Sequence, residues 1–401
     1  MEKKSKFGGI FHFYHLVSFF VSINAYLFST FINSTAAQWG FSFSEIGFIN
    51  LLLSFLYALS SITLGHIGYK FGYKKMMNML FIYLFVLSFT GFFENNRFWL
   101  YIFASLQGIF FGAFFPQVEG LIAQSESLLK VTPPSITGRF TLAWSSGNIF
   151  GVAFGPYLTV KARSIIFFYG IILSIVVFLL ISRDKKINGE LINFTPNRKL
   201  TTDSDKFDVV KDISRMKRLR LEYRIILFLG GLIYTSVLAE FPKLIKMAGL
   251  DISRAGFLTV GANIGVLLTF IALQYWKKWV GNEIICGVLL SVVLLTGVVA
   301  LFAKTPLLFF LTAFLAGGSY AVPYTFAIFY GLLSTSEEHG KQGALHEMVI
   351  GLLFGVGPFV GGIFLDHFKS TFGLTFLSII LSILIYSIQF FFNKSKVVIE
   401  K

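Results

Sequence analysis

The chain has 401 residues, of which 55% are hydrophobic and 18% aromatic, with fifty phenylalanines and only 13% charged. A soluble globular protein carries about 25% charged residues, so this chain has too little polar surface to cover itself in water, and a soluble fold is excluded. The net charge of +14 sits beside apolar spans, where basic clusters meet anionic lipid headgroups; no nucleic-acid partner is expected.

Crossing a bilayer takes about 20 consecutive apolar residues in a helix. Twelve such stretches follow one another, near 8–33, 44–66, 76–93, 98–124, 138–160, 164–182, 223–244, 254–276, 281–303, 306–333, 341–365 and 372–392. Helices are expected because lipid offers the backbone no hydrogen-bond partner, and the alternating pattern of a membrane β-barrel is missing. Lys3, Lys4, Lys6 and the apolar run after them resemble a secretory leader. That run is about twice the usual apolar core of 7–15 residues, so the first span is expected to stay uncleaved. Most of the 34 Lys and Arg fall on one side if both termini are cytoplasmic, as the positive-inside rule requires.

The one long polar stretch, from Arg183 to Glu222, divides the spans six and six. The expected organisation is therefore an N-terminal six-helix bundle over 1–182, a cytoplasmic linker over 183–222 and a C-terminal six-helix bundle over 223–401. Within the linker, "DKFDVVKDISRMKRLRLEY" reads either as plain tether or as a basic helix on the membrane surface.

The halves repeat. "GRFTLAWSSGNIFGVAFGP" (Gly138–Pro156) returns 202 positions later as "GKQGALHEMVIGLLFGVGP" (Gly340–Pro358). "GFSFSEIGF" (Gly40–Phe48) returns 209 positions later as "GLDISRAGF" (Gly249–Phe257), and at that offset Gly72 falls on Gly281. Pro116 and Pro323 sit at similar depths in the fourth and tenth spans. Six crossings are an even number, so the copies are parallel repeats related by an axis along the membrane normal, an arrangement that suits alternating access.

The loop "GHIGYKFGYKK", Gly65–Lys75, resembles the signature that follows the second span in major facilitator superfamily (MFS) transporters. Gly65, Ile67, Lys70, Gly72, Lys74 and Lys75 match it, while Tyr69 stands at its acidic position. In the fourth span, "LYIFASLQG" keeps Leu100, Gln107 and Gly108 of a second family motif, with Ala104 where the family has arginine. The resemblance implies the MFS fold, an all-α polytopic membrane protein of twelve transmembrane helices in two pseudo-symmetric six-helix bundles. It also implies gating by the loop residues Gly65, Lys70, Gly72 and Lys74, and a cavity lined by the first, fourth, seventh and tenth spans. That directs attention to Asn24, Gln107, Tyr234, Tyr320 and Tyr324. Trp144, Asn148 and Asn263 join this substrate-binding set, since a buried amide needs a partner.

Acids inside spans are expensive and are functional candidates by default. Glu347 lies about 9 Å along its helix from Lys341 at 1.5 Å per residue, and three roles fit it: proton or substrate handling, a gating ion pair, or a solvated helix end. His346 titrates near neutral pH when unperturbed, so Glu347, Glu119 and His346 form the proton-coupling set. Glu119 can also pair with Arg139, a further gating candidate. Glu45 is placed to cap the second span; Glu240 and Asp366, near the far ends of their spans, read as solvated or gate-forming. Gly147, Gly151 and Gly155 share one helix face, a spacing that lets helices approach closely; Gly351 and Gly355 repeat it in the eleventh span.

No nucleotide-cradling loop, metal-ligand spacing or hydrolase triad is present, and the lone Cys286 allows no internal disulfide. The expected protein is not an enzyme, needs no cofactor or metal, and is a monomer of the cell membrane whose partners are lipids, a small-molecule substrate and protons. The function read from the sequence is secondary active transport of a small neutral or amphipathic organic solute, coupled to protons. The alternatives are an efflux pump or flippase for hydrophobic drugs or lipids, and a non-transporting membrane sensor or scaffold.

Overall fold

A computed structural model describes residues 8–64, 67, 71–93, 96–129, 133–183, 213–332 and 339–399, the side chains of 8–12, 120–139, 213, 332, 339–344 and 393–399 excepted. Among the described residues, twelve helices follow in order: α1 Gly8–Gln38, α2 Phe43–Leu64, α3 Tyr73–Thr90, α4 Arg97–Leu129, α5 Pro133–Lys161, α6 Ser164–Arg183, α7 Ile213–Met247, α8 Ala255–Tyr275, α9 in two pieces (Glu283–Leu290 and Val292–Leu301), α10 Pro306–Leu332, α11 His339–Phe368 and α12 Phe372–Ile399. Among the described residues, eleven are apolar and long enough to cross a membrane. The remaining one, α5, runs 29 residues, about 43 Å at 1.5 Å per residue.

One boundary differs from expectation. α7 begins at Ile213 rather than near 223, because Leu219, Arg220 and Glu222 are already buried there. The basic stretch from 213 is thus the first turns of a long helix and does not form a separate one. Residues 184–212 lie outside the description.

The chain divides into two units, each taking a short piece from the opposite half of the sequence. Unit 1 comprises Met1–Gly40, Leu52–Thr195 and Asp251–Gly256; unit 2 comprises Phe41–Leu51, Pro196–Leu250 and Phe257–Lys401. In unit 1, α1 packs on α4, α5 and α6, and α3 packs on α4 and α6. In unit 2, α7 packs on α10, α11 and α12, and α9 packs on α10 and α12. First on fourth and fifth, third on fourth and sixth: the same pairings hold in both, as the parallel repeat requires.

Backbone geometry repeats too. Among the described residues, the glycines with left-handed φ are Gly40 (74°) and Gly249 (77°), Gly72 (90°) and Gly281 (72°). These are the two sequence pairs at offset 209, and only Gly enters that region without a Cβ penalty. Each marks a turn that a side chain would strain.

Helix starts are capped as the sequence allows. Glu45 Oε2 accepts from the Ser42 amide (2.6 Å) while Ser42 Oγ accepts from the Glu45 amide (3.1 Å). This reciprocal capping box is the role expected of Glu45. At the repeat-related start of α8, Asp251 Oδ1 accepts from the Ser253 amide at 2.9 Å, which holds its carboxyl below the usual carboxylate range.

The interiors are aromatic and tightly fitted. Unit 1 is centred on Phe28, Phe31, Trp99, Phe103 and Phe167, with Trp99 stacked on Phe103 at 4.7 Å. A Cβ on Gly151 would come within 2.6 Å of Tyr26 Cβ, and one on Gly147 would meet Phe19 O and Ser22. The glycine stripe of α5 is therefore the surface on which α1 rests. In unit 2, Gly357 and Gly361 of α11 meet Thr235 and Ser236 of α7, whose hydroxyls donate to Leu353 O (2.9 Å) and Gly357 O (2.7 Å). Hydrogen bonds between close helices of this kind hold bundles together in lipid.

Candidate functional site

The best-formed polar site lies inside unit 2. Tyr234 of α7 stacks on Tyr320 of α10, with ring centroids 4.8 Å apart and planes 12° from parallel. Tyr320 meets Tyr324 at 5.4 Å, one turn on, and Tyr324 meets His346 of α11 at 5.0 Å. Phe354 and Phe270 pack against Tyr234 and Tyr324 respectively. At the head of this ladder the Tyr234 hydroxyl donates to Asn263 Oδ1 of α8 at 3.1 Å. Five sequence-derived residues from four helices are thus brought together.

Two members of the ladder hold unused polar atoms. His346 is 6% exposed, and neither ring nitrogen has a hydrogen-bond partner among the described residues; the same holds for Asn263 Nδ2. Buried polar groups are normally paired, so these orphaned atoms set the ladder apart from ordinary core packing. Arg224 lies within electrostatic reach of His346. Glu347, next along α11, is half-buried and points to another face of the helix, as consecutive helical residues do.

Unit 1 carries its own polar group. Asn24 of α1 is fully buried, and neither amide atom is hydrogen-bonded among the described residues. Its Nδ2 would lie 3.1 Å from a Cβ on Gly170 of α6. Gln107 of α4 donates from Nε2 to Ala25 O (3.1 Å) and Ser29 Oγ (3.0 Å), and its Oε1 is left over. Asn148 is buried in α5 and Trp144 half-buried a turn earlier.

Glu119 is half-buried in the second half of α4, well before its end at Leu129. The side chain of Arg139, its expected partner, lies outside the described residues, as do Gly65 and Lys70. Gly72 takes its left-handed turn, and Lys74 Nζ donates to Ser182 O at 3.1 Å, tying the start of α3 to the end of α6.

Sequence reasoning undervalued one residue. Glu240, expected in solvent or at a gate, is 0% exposed, and neither carboxylate oxygen has a hydrogen-bond partner among the described residues. The available signal was local: Glu240 stands within "SVLAEFPK", where only Lys243, three residues on, offers a charge on the same face.

No curated protein matches the sequence. The family model described as the Major Facilitator Superfamily matches residues 14–302. Among solved structures, a bacterial homologue of the human lysosomal transporter Spinster, inward-facing and occupied, superposes with TM-score 0.67 at 12% identity, covering 97% of this chain and 96% of its own. A point mutant of the nucleoside transporter NupG gives 0.67 at 13% identity, with coverage of 95% and 99%. Tetrameric PepTSo2 gives 0.68 at 14%, covering 99% of both chains. At such identities these structures share the fold. Joined to the family match over more than half the chain, they place this integral membrane protein in a transporter family and not among enzymes: it belongs to the Major Facilitator Superfamily.

Proposed function

We propose that the chain is a secondary active transporter that moves a small neutral or amphipathic organic solute by alternating access, driven by protons, with both termini in the cytoplasm. The observation that supports the solute class is the ladder Tyr234–Tyr320–Tyr324–His346 with Asn263 at its head. Stacked phenols favour a ring or apolar body, and the spare His346 nitrogens and Asn263 amide favour uncharged donors and acceptors. A nucleoside, the cargo named for one structural neighbour, has this combination. Within unit 1, Gln107, Asn24, Trp144 and Asn148 are assigned as substrate-binding residues in their own right.

Glu347 is assigned as the coupling acid, with Glu119 in reserve and His346 beside it. A carboxylate inside a span is retained at a cost of a few kcal/mol only where it serves. The test starts with detergent-solubilised protein and a panel of nucleosides, neutral amino acids and aromatic amines, scored by thermal shift. A ligand present at about 100 times its Kd stabilises by roughly 2.7 kcal/mol, which such a shift resolves. The strongest hit is then followed in proteoliposomes, where Glu347→Gln should abolish uphill accumulation and leave equilibrium exchange intact. Unchanged accumulation in Glu347→Gln and in Glu119→Gln would refute proton coupling through either acid. A panel in which only hydrophobic amines bind would point to export.

A further inference from the structure

At the C-terminal end of α7, unit 2 holds the first turn of α2 with two charged side chains. Asp366 of α11 accepts from the Phe43 amide at Oδ1 (3.0 Å), and from the Ser44 amide (2.8 Å) and hydroxyl (2.6 Å) at Oδ2. Lys243 of α7 donates to Phe41 O at 2.6 Å, and its ammonium lies 4.0 Å from the centroid of the Phe43 ring. Gly47 and Gly362 let α2 and α11 approach this closely, since a Cβ on either would strike the facing backbone at Pro358 or Phe43. The anion takes the free amides of the helix start, where the dipole favours it, and the cation takes the carbonyl before it. Together they form a clasp.

Glu240 lies one turn before Lys243 on α7, within electrostatic reach of Lys243 and Asp366. The charges facing the cluster are Lys243 and Lys246 on α7, Asp366 on α11 and Glu45 on α2. These four sum to zero, so an ionised Glu240 would be a surplus negative charge, fully buried and with no hydrogen bond to either oxygen. Lys243, the cation within reach of Glu240, donates to Phe41 O and also faces the carboxylates of Asp366 and Glu45, so its charge is shared among them. A buried carboxyl without a partner keeps its proton in preference to its charge.

We propose that Glu240 is a proton-binding site of this transporter, and that its proton sets the state of the Lys243–Asp366 clasp on α2. With the proton on, Glu240 is neutral and Lys243 stays on Phe41 O. When the proton leaves for water, the new carboxylate draws Lys243 one turn back along α7. Phe41 O then loses its donor, and Asp366 alone holds α2. One O–H bond breaks, one proton is released, and one hydrogen bond moves from a carbonyl to a carboxylate.

The test needs neither substrate nor gradient, so its failure is distinct from failure of the Glu347 assay. Infrared difference spectra of reconstituted protein during a pH titration should show a protonated-carboxyl band that vanishes in Glu240→Gln and persists in Asp366→Asn. In parallel, hydrogen exchange at the Phe43 and Ser44 amides, corrected for intrinsic rates, should lose about tenfold in protection as that band titrates away. In Glu240→Gln the protection should stay high at all pH values, and in Asp366→Asn it should be low throughout. A band unchanged in Glu240→Gln would overturn the site. A vanished band with pH-dependent protection intact would overturn its link to the clasp. If Glu240→Gln does not fold, wild-type protein treated at neutral pH with a hydrophobic carbodiimide, which adds to protonated carboxyls in apolar surroundings, decides: an adduct on Glu240 supports the proposal and an unmodified Glu240 overturns it.

Discussion

Replacing Gly151 by Ala puts one methyl group where α1 and α5 touch. The added carbon would lie 2.6 Å from Tyr26 Cβ and 2.7 Å from Ile23 O, with the Leu27 amide nitrogen at 3.2 Å. Carbon atoms rest at about 3.5–4.0 Å, so the first contact falls short by roughly 0.9 Å. Two of the three obstacles are backbone atoms of α1 and cannot rotate aside. The helices must separate, and a gap of 0.5–1 Å forfeits about a quarter to a half of each dispersion contact along the seam. Overpacking of this kind costs about 1–3 kcal/mol. For a unit of 150–250 residues each kcal/mol moves Tm by about 2–4 °C, so a loss of about 2–12 °C is expected. Size-exclusion recovery of heated, detergent-solubilised protein reads it. Gly287→Ala is the control, because its Cβ would meet only Gln389 Oε1 at 3.4 Å, and Ala is the better helix former. If Gly151→Ala melts with the wild type, or no lower than Gly287→Ala, the close approach of α1 to α5 is wrong.

Tyr234→Phe keeps the stack on Tyr320 but removes the donor to Asn263 Oδ1. The buried amide left behind should cost about 1–3 kcal/mol and weaken binding of any panel hit, whereas unchanged affinity would take Tyr234 out of the cargo site. Ser42→Ala breaks the capping box at α2 and should cost about 1 kcal/mol in thermal unfolding, and no loss would mean that Asp366 suffices there. For topology, cysteines placed at Lys304 and Lys278, both exposed, in a Cys286→Ser background should label from outside and only after permeabilisation, respectively; the reverse would invert the proposed orientation.

The architecture was legible because lipid leaves so few options. Length, apolarity and helical hydrogen bonding determine twelve spans, and the repeat could be read at glycines whose backbone geometry no other residue adopts cheaply, such as Gly40 with Gly249. The seam between α1 and α5 was visible in Gly147, Gly151 and Gly155 for the same reason. Grouping Tyr234, Asn263, Tyr320, Tyr324 and His346 needed the packing of α7 with α10 and α11, since residues up to 112 positions apart carry no sign that they share a ladder. Glu240 escaped because depth was judged from its distance to the end of the span. What buries it is the tertiary wall around the end of α7, which sequence spacing does not encode.

The clasp on α2 also has a consequence for synthesis. Ser44 and its acceptor Asp366 are 322 residues apart. Chains grow at about 5–20 residues per second, so the first turn of α2 waits roughly 16–64 s for the carboxylate that receives its amides. During that interval the Ser42–Glu45 box is its local cap, made by residues three positions apart and available as soon as the segment leaves the ribosome. The cheap local bond therefore acts as a placeholder for the distant one. A chain lacking it should be most vulnerable to quality-control proteolysis while still nascent, with the harm fading once α11 has been inserted.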